Sequence, residues 1–235
     1  GILQTGTVII DKKTYELDTD GSLKGYTPKK KSSKKKSSDK SATSDKSGTS
    51  TAKKSVALTF DDGPSSFTDR LLDCLEENNA KATFFMVGTE IASFPDEVKR
   101  MKKLGCELGN HTYDHKDLAT LSSDEISSEI ARVDEQLVNL TGEGASVVRP
   151  PYGSVNDTVK STVGTPMILW SIDTLDWKTQ DVESTVEEVM NNVKDGSIIL
   201  MHDIFSTSVD AAEILIPQLI EEGYQLDRKS TRLNS

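Results

Sequence analysis

Two adjacent carboxylates, Asp61 and Asp62, follow the apolar run 56–60 and precede Gly63-Pro64. Neighbouring carboxylates at a strand end diverge, so one can bind a metal while the other accepts a proton. The Gly-Pro step sets a tight turn behind them. The chain holds three histidines, His111, His115 and His202. His111 and His115 are four residues apart, a spacing that puts two imidazoles on one side of a helical turn. His111 comes straight after the run 107–110, and His202 straight after 198–201. An Asp-Asp-Gly-Pro surface turn and scattered surface histidines are the bland readings. Histidines gathered at the ends of candidate strands argue against them. Three protein ligands plus a water is the pattern of a catalytic zinc site. Asp62, His111 and His115 supply a carboxylate and two imidazoles for it, which leaves Asp61 as a base and His202 as an acid. Arg149, before Pro-Pro-Tyr152-Gly153, and the carboxylates Asp173 and Asp176 beside Trp177 stand at two further run ends. Taken alone, these read equally well as a structural turn and as a capping Asp beside a core Trp.

Elements must bring these residues together. Strand candidates are 56–60, 82–87, 107–110, 147–149, 167–172, 198–201 and 224–226. Helical patterns cover 68–79, 90–104, 123–141, 182–194 and 208–222, and a short helix or turn fills 156–163. Ser122 with Glu125 forms a capping box ahead of the third. Alternation of strands and helices predicts an α/β fold with a parallel sheet. Seven strands suggest a barrel one short of the usual eight. In such folds ligands bind at the carboxyl ends of the strands, where the candidate residues lie.

The flanks differ from this body. Residues 1–26 read as a β-hairpin, with alternating runs around Asp11-Lys12-Lys13 and a closing Asp20-Gly21. They resemble one unit of a choline- or glucan-binding wall repeat, with Tyr15 and Tyr26 as the available aromatics; an isolated hairpin remnant is the alternative. Residues 27–54 are lysine, serine, threonine and aspartate with almost nothing apolar, a composition that predicts a flexible linker. Ten lysines against two aspartates give the stretch from Pro28 to Lys54 a charge of +8, so −18 of the net −10 sits elsewhere. An acidic body argues against nucleic acid as partner, while residues 1–54 could contact an anionic wall polymer. Residues 227–235 are polar but for Leu233, where a last strand should continue; they read as a non-native, disordered tail. The chain opens at Gly1 without a methionine and is expected to be a piece of a longer protein. No signal peptide is present in it, and no apolar run is long enough to span a bilayer. Cys74 and Cys106 are expected to be buried free thiols.

Five ordered segments together are similar to the motifs of the polysaccharide deacetylases, the NodB-homology domain of carbohydrate esterase family four. They are Thr59-Phe-Asp-Asp-Gly-Pro64, His111-Thr-Tyr-Asp-His115, Arg149-Pro-Pro-Tyr152, Asp173-Thr-Leu-Asp-Trp177 and Ile198-Ile-Leu-Met-His202. The resemblance covers 55–226 and implies a distorted (β/α) barrel of about seven parallel strands, preceded by the hairpin and the disordered linker. It implies Asp61 as general base held by Arg149, and Asp62, His111 and His115 as ligands of a divalent metal. Zinc is the first expectation, with cobalt, nickel or manganese as alternatives. It further implies the Tyr152 amide as oxyanion donor, His202 as acid tuned by Asp176, and Tyr152, Trp177 and Leu200 against the substrate. The expected reaction is hydrolytic N-deacetylation of a cell-wall polysaccharide by an extracellular or wall-associated protein. Peptidoglycan N-acetylglucosamine is the first substrate. N-acetylmuramic acid and chitin-like oligomers are alternatives, and a catalytically silent sugar-binding module is the alternative class.

Overall fold

The structure is a computed structural model, and residues 6–10, 13–17 and 54–228 are described. Linker residues 27–53, the turn at Asp11-Lys12, Asp20-Gly21 and all of the tail beyond Arg228 lie outside the described residues. The chain divides into two compact units, 1–49 and 50–235. In the first, β1 (Gly6–Ile10) pairs antiparallel with β2 (Lys13–Leu17), Ile10 facing Lys13, which is the expected hairpin.

In the second unit β3 (Ser55–Asp61) is central, and six of its seven residues are buried. It lies parallel to β4 (Thr83–Met86) on one side and to β8 (Ile198–His202) on the other. Strand β5 (Glu107–Asn110) pairs with β4, and β6 (Val147–Val148) pairs with β5. On the far edge β7 (Ile172–Asp173) pairs with β8. The short β9 (Gln225–Leu226) pairs with the first two residues of β3. Near-continuous apolar runs such as Thr83-Phe-Phe-Met86 suit strands covered on both faces.

Helices α1 (Thr68–Glu77), α3 (Pro95–Leu104), α4 (Ser123–Thr141), α7 (Val182–Asn192) and α8 (Ser206–Glu221) cover the strands, with the short α2 (Gly88–Ile91), α5 (Asp157–Thr162) and α6 (Asp176–Thr179) between them. Their apolar stripes, such as Leu71, Leu72 and Leu75 of α1, enter one core in which Phe60 stacks on Phe84 at 5.5 Å between ring centroids. The capping box of Ser122 and Glu125 is formed, and Gly142 ends α4 in the left-handed conformation at φ 82°.

The structure corrects three sequence expectations. The helix expected over 90–104 is two, because Pro95 disfavours helical geometry at the residue before it, and Phe94 sits at φ −130°, ψ 53°. The strand expected over 167–172 is a single bridge from Met167 to Val148, then the two residues of β7. Between these points the carbonyls of Ile168 and Leu169 accept from Nε and Nη2 of Arg149, each at 3.1 Å, in place of a ladder. One stretch thus bridges to the edge strand β6 through Met167 and pairs with β8 through Ile172, and closes a distorted barrel around a guanidinium. Of the thiols, both free, Cys106 is buried but Cys74 only half-buried. Among the described residues no helix is long and apolar enough to cross a membrane.

Candidate active site

Asp61 is the last residue of β3 and the register partner of His202, the last residue of β8. His111 follows β5, and Arg149 follows β6. The parallel register therefore delivers the candidate residues to one end of the sheet. They line a cleft of about 390 Å³ that brings together Asp61, Asp62, His111, His115, Tyr152, Trp177, Leu200 and His202. A larger groove of about 700 Å³, among residues 78–81 and 223–228, holds none of them. Five non-glycine residues near the cleft have positive φ: Asp62 (71°), Thr112 (69°), His115 (53°), Tyr152 (61°) and Leu175 (55°). Such strain persists only where the surroundings over-determine it, and it clusters at functional sites.

Arg149 is fully buried, and its Nη1 donates to Asp61 Oδ1 at 2.6 Å and to Thr59 Oγ1 at 2.8 Å. With the Ile168 and Leu169 carbonyls on its other nitrogens, the guanidinium meets the demand that a buried charge be paired and hydrogen-bonded. Burial pushes the Asp61 carboxyl above its ordinary value, and Arg149 opposes that rise. A carboxylate so placed is a better base than one in water.

The other oxygen of Asp61 lies 3.6 Å from His111 Nε2. Asp62 Oδ1 is 3.5 Å from His111 Nε2 and 3.3 Å from His115 Nε2. It is buried and has no hydrogen-bond partner among the protein groups. Burial pushes the His111 imidazole down to about 3, so it is neutral. Its Nδ1–H donates to the Arg149 carbonyl at 2.6 Å, which leaves Nε2 as the lone-pair nitrogen. An orphaned carboxylate oxygen, the lone-pair nitrogen of His111 and the second imidazole of His115, with ligand atoms all within 4.8 Å of one another, fit a divalent cation. The two imidazoles do not share a helical turn as their spacing suggested. The loop from His111 to His115 is irregular, and its residues at positive φ, Thr112 and His115, turn the rings together, with centroids 4.9 Å apart.

Across the cleft Asp176 is almost fully buried at the start of α6. Its Oδ1 pairs with His202 Nδ1 at 2.8 Å, and its Oδ2 accepts the His202 backbone N–H at 2.8 Å. Burial alone would lower the imidazole, but the Asp176 hydrogen bond and charge outweigh it and raise His202 above its ordinary value. Burial would likewise raise Asp176, yet His202 holds it below the usual range.

The mouth of the cleft is apolar and open, with Tyr152 70% and Trp177 49% exposed. Leu200 forms a buried wall, and the Tyr152 ring meets His115 edge-on at 4.9 Å. Trp170 also lines the cleft; sequence reasoning missed it because a tryptophan within an expected strand reads as core. Asp203, next to His202, is wholly buried and accepts from Thr68 Oγ1. Burial pushes its carboxyl up to about 7. A Cβ on Gly63 would lie 2.2 Å from Asp203 Oδ1, so the turn behind Asp62 needs glycine at that position.

Comparison with known proteins gives the same frame. A family model described as Polysaccharide deacetylase matches residues 48–165. Peptidoglycan-N-acetylmuramic acid deacetylase PdaC of Bacillus subtilis is 41% identical over 175 residues, covering 74% of this chain and 38% of that protein. Peptidoglycan-N-acetylglucosamine deacetylase PgdA of Listeria monocytogenes is 39% identical over 173 residues, covering 73% of this chain and 37% of its own. The chain thus spans well under half the length of these relatives. The solved structure of the Bacillus subtilis PdaC superposes with a TM-score of 0.75 at 40% identity, covering 77% of this chain and 90% of that one. With the family match over half the chain and a barrel that carries the expected residues at its strand ends, this chain belongs to the polysaccharide deacetylase family.

Proposed function

We propose that this protein hydrolyses the acetamide of peptidoglycan N-acetylglucosamine, releasing acetate and leaving a free amine on the sugar, and that it depends on a divalent metal. The observation that carries the reading is the convergence, in one cleft, of an Arg149-held Asp61, an Asp176-held His202 and the set Asp62, His111 and His115. Zinc is our first choice of metal. Held by those three side chains, it would lower the pKa of a water and polarise the acetyl carbonyl.

The protein's own groups account for the proton movements. Asp61 accepts a proton from the attacking water. Arg149 fixes one Asp61 oxygen, so the other faces the cleft. The Tyr152 amide donates to the oxygen that gains charge, the kind of donor whose loss costs about 100- to 1,000-fold in rate. His202, kept protonated by Asp176, delivers a proton to the departing nitrogen. Trp177, Tyr152 and Leu200 surround the acetyl group and exclude water from it.

A second substrate, N-acetylmuramic acid, is favoured by the name of the Bacillus subtilis relative. We further propose that the protein works outside the membrane, with 55–226 as the catalytic domain and residues 1–54 along the wall as a repeat remnant and tether. The test is acetate release from purified wall material with and without a chelator, followed by mass spectrometry of the digested glycan. Acetyl loss from glucosamine residues supports the reading. Acetyl loss from muramic acid would move the substrate to the second reading, and binding without acetate release would make the protein a silent sugar-binding module.

A further inference from the structure

We infer that Glu129, on α4, is the positioning residue that sets the loop of His111 to His115 in its metal-binding shape. This rests on the reading of Asp62, His111 and His115 as metal ligands, and it adds a group that touches none of them.

The loop has an unfavourable backbone. Thr112 is β-branched and sits at φ 69°, and His115 sits at φ 53°. A β-branched residue at positive φ is a genuine outlier, so other groups must hold the conformation. They approach from both sides. From α2, the N–H groups of Gly88 and Thr89 donate to the carbonyls of Thr112 and Tyr113, at 3.0 and 3.2 Å. From the strand side, the His111 N–H donates to the Met86 carbonyl at 2.9 Å, and the Thr112 N–H to Asn110 Oδ1 at 2.8 Å. The next two amides, of Tyr113 and Asp114, both donate to Glu129 Oε2 at 2.9 Å. Lys116, immediately beyond His115, donates to Glu129 Oε1 at 3.0 Å.

Glu129 therefore holds two backbone amides just before the second histidine and the Lys116 ammonium just after it. It does so from the buried stripe of α4, between Ile126 and Val133, while only 4% exposed. A carboxylate in an apolar stripe is costly unless its partners repay it. Here the three donors all belong to the metal-binding loop or its next residue. Without the carboxylate the two amides lose their acceptor and the loop can relax from its positive-φ turns. His115 would then move relative to His111, whose ring stays tied to the Arg149 carbonyl.

The experiment measures zinc affinity by competition with a chromophoric chelator, together with the visible spectrum of the cobalt form. Neither readout requires turnover. Glu129→Leu fills the stripe with an apolar side chain and removes the acceptor. Its zinc affinity should fall about 10- to 100-fold, the range for loss of groups that support metal ligands, and its cobalt bands should shift. Glu129→Gln, whose amide oxygen can still accept, should recover much of the affinity. If Glu129→Leu does not fold, Glu129→Asp decides, because it keeps the charge but withdraws the acceptor by one methylene; its affinity should also fall. Unchanged zinc affinity in the folded Leu variant, or in the Asp variant where Leu fails, would overturn the inference and leave Glu129 a stabilising residue only. Parent protein that binds no zinc would instead overturn the metal reading itself.

Discussion

Asp61 meets Arg149 through one oxygen and faces His111 with the other, so a change there should separate chemistry from binding. Asp61→Asn keeps the size and an acceptor for Arg149 but cannot take a proton. Turnover should fall by about 100- to 10,000-fold, the usual worth of a positioned acid or base, while affinity for wall glycan measured by sedimentation stays near the parent's. Normal turnover would remove Asp61 from its role. The Asp176–His202 pair predicts a pH effect. His202 is raised by Asp176, so an acid that must hold a proton stays active to higher pH than a free imidazole would. Asp176→Asn should move the alkaline limb of the kcat profile to lower pH; a limb that stays in place would assign it to another group. The same pair bears on stability. The His202 contribution is complete below the imidazole's ordinary value near 6.5 and is lost as pH rises through its raised one.

At the scale of elements, the turn after β3 and the end of β8 are locked together by Asp203. Its buried carboxyl has a folded-state pKa of about 7 against an ordinary 3.8. A proton that the folded protein keeps is released by the unfolded chain from about pH 4 upward, so this group takes stability away as pH rises from about 4 to about 7. Asp203→Asn keeps an acceptor for Thr68 and cannot ionise. In chelator-treated protein it should be more stable than the parent at pH 8, with the gap closing towards pH 4, as read from urea midpoints. A gap independent of pH would show that Asp203 does not titrate in this window. Elements also show what the sequence made legible. A polar residue straight after an apolar run locates Asp61 and His202 without coordinates, and His111 stands at the end of the strand candidate 107–110, because a parallel sheet brings such ends together. The bend of Ile168 and Leu169 onto Arg149 was not legible, since a run such as Met-Ile-Leu-Trp carries no sign that its carbonyls serve a guanidinium 19 or 20 residues back. The left-handed turn at Thr112 was hidden too, because threonine gives no local signal for it. Glu129 did leave a trace, as the charged residue in the stripe of Ile126, Val133 and Leu137, but its loop partners depend on tertiary contact. The break at Pro95 was readable from the Phe94-Pro95 step.

For the whole second unit, the candidate metal site ties together segments that follow different strands of the barrel. Asp62 follows β3, and His111 and His115 follow β5, with β4 between them. A cation bound across that gap binds the folded state and not the unfolded chain, so it must raise stability by mass action. At a free concentration 100 times its dissociation constant the gain is about 2.7 kcal/mol. For a domain of this size each kcal/mol moves the melting temperature by roughly 2–4 °C, so saturating zinc should raise it by about 5–11 °C. Magnesium, which prefers oxygen ligands and keeps its waters, should do far less. Asp62→Ala should abolish the zinc shift and leave the metal-free melting temperature near or above the parent's, because Asp62 Oδ1 has no partner to lose there. The comparison to make is therefore a set of melting curves, parent and variant, each with chelator, magnesium and zinc. A zinc shift that survives in Asp62→Ala would locate the cation elsewhere on the molecule, and no shift in the parent would mean that the three residues share a cleft without sharing an ion.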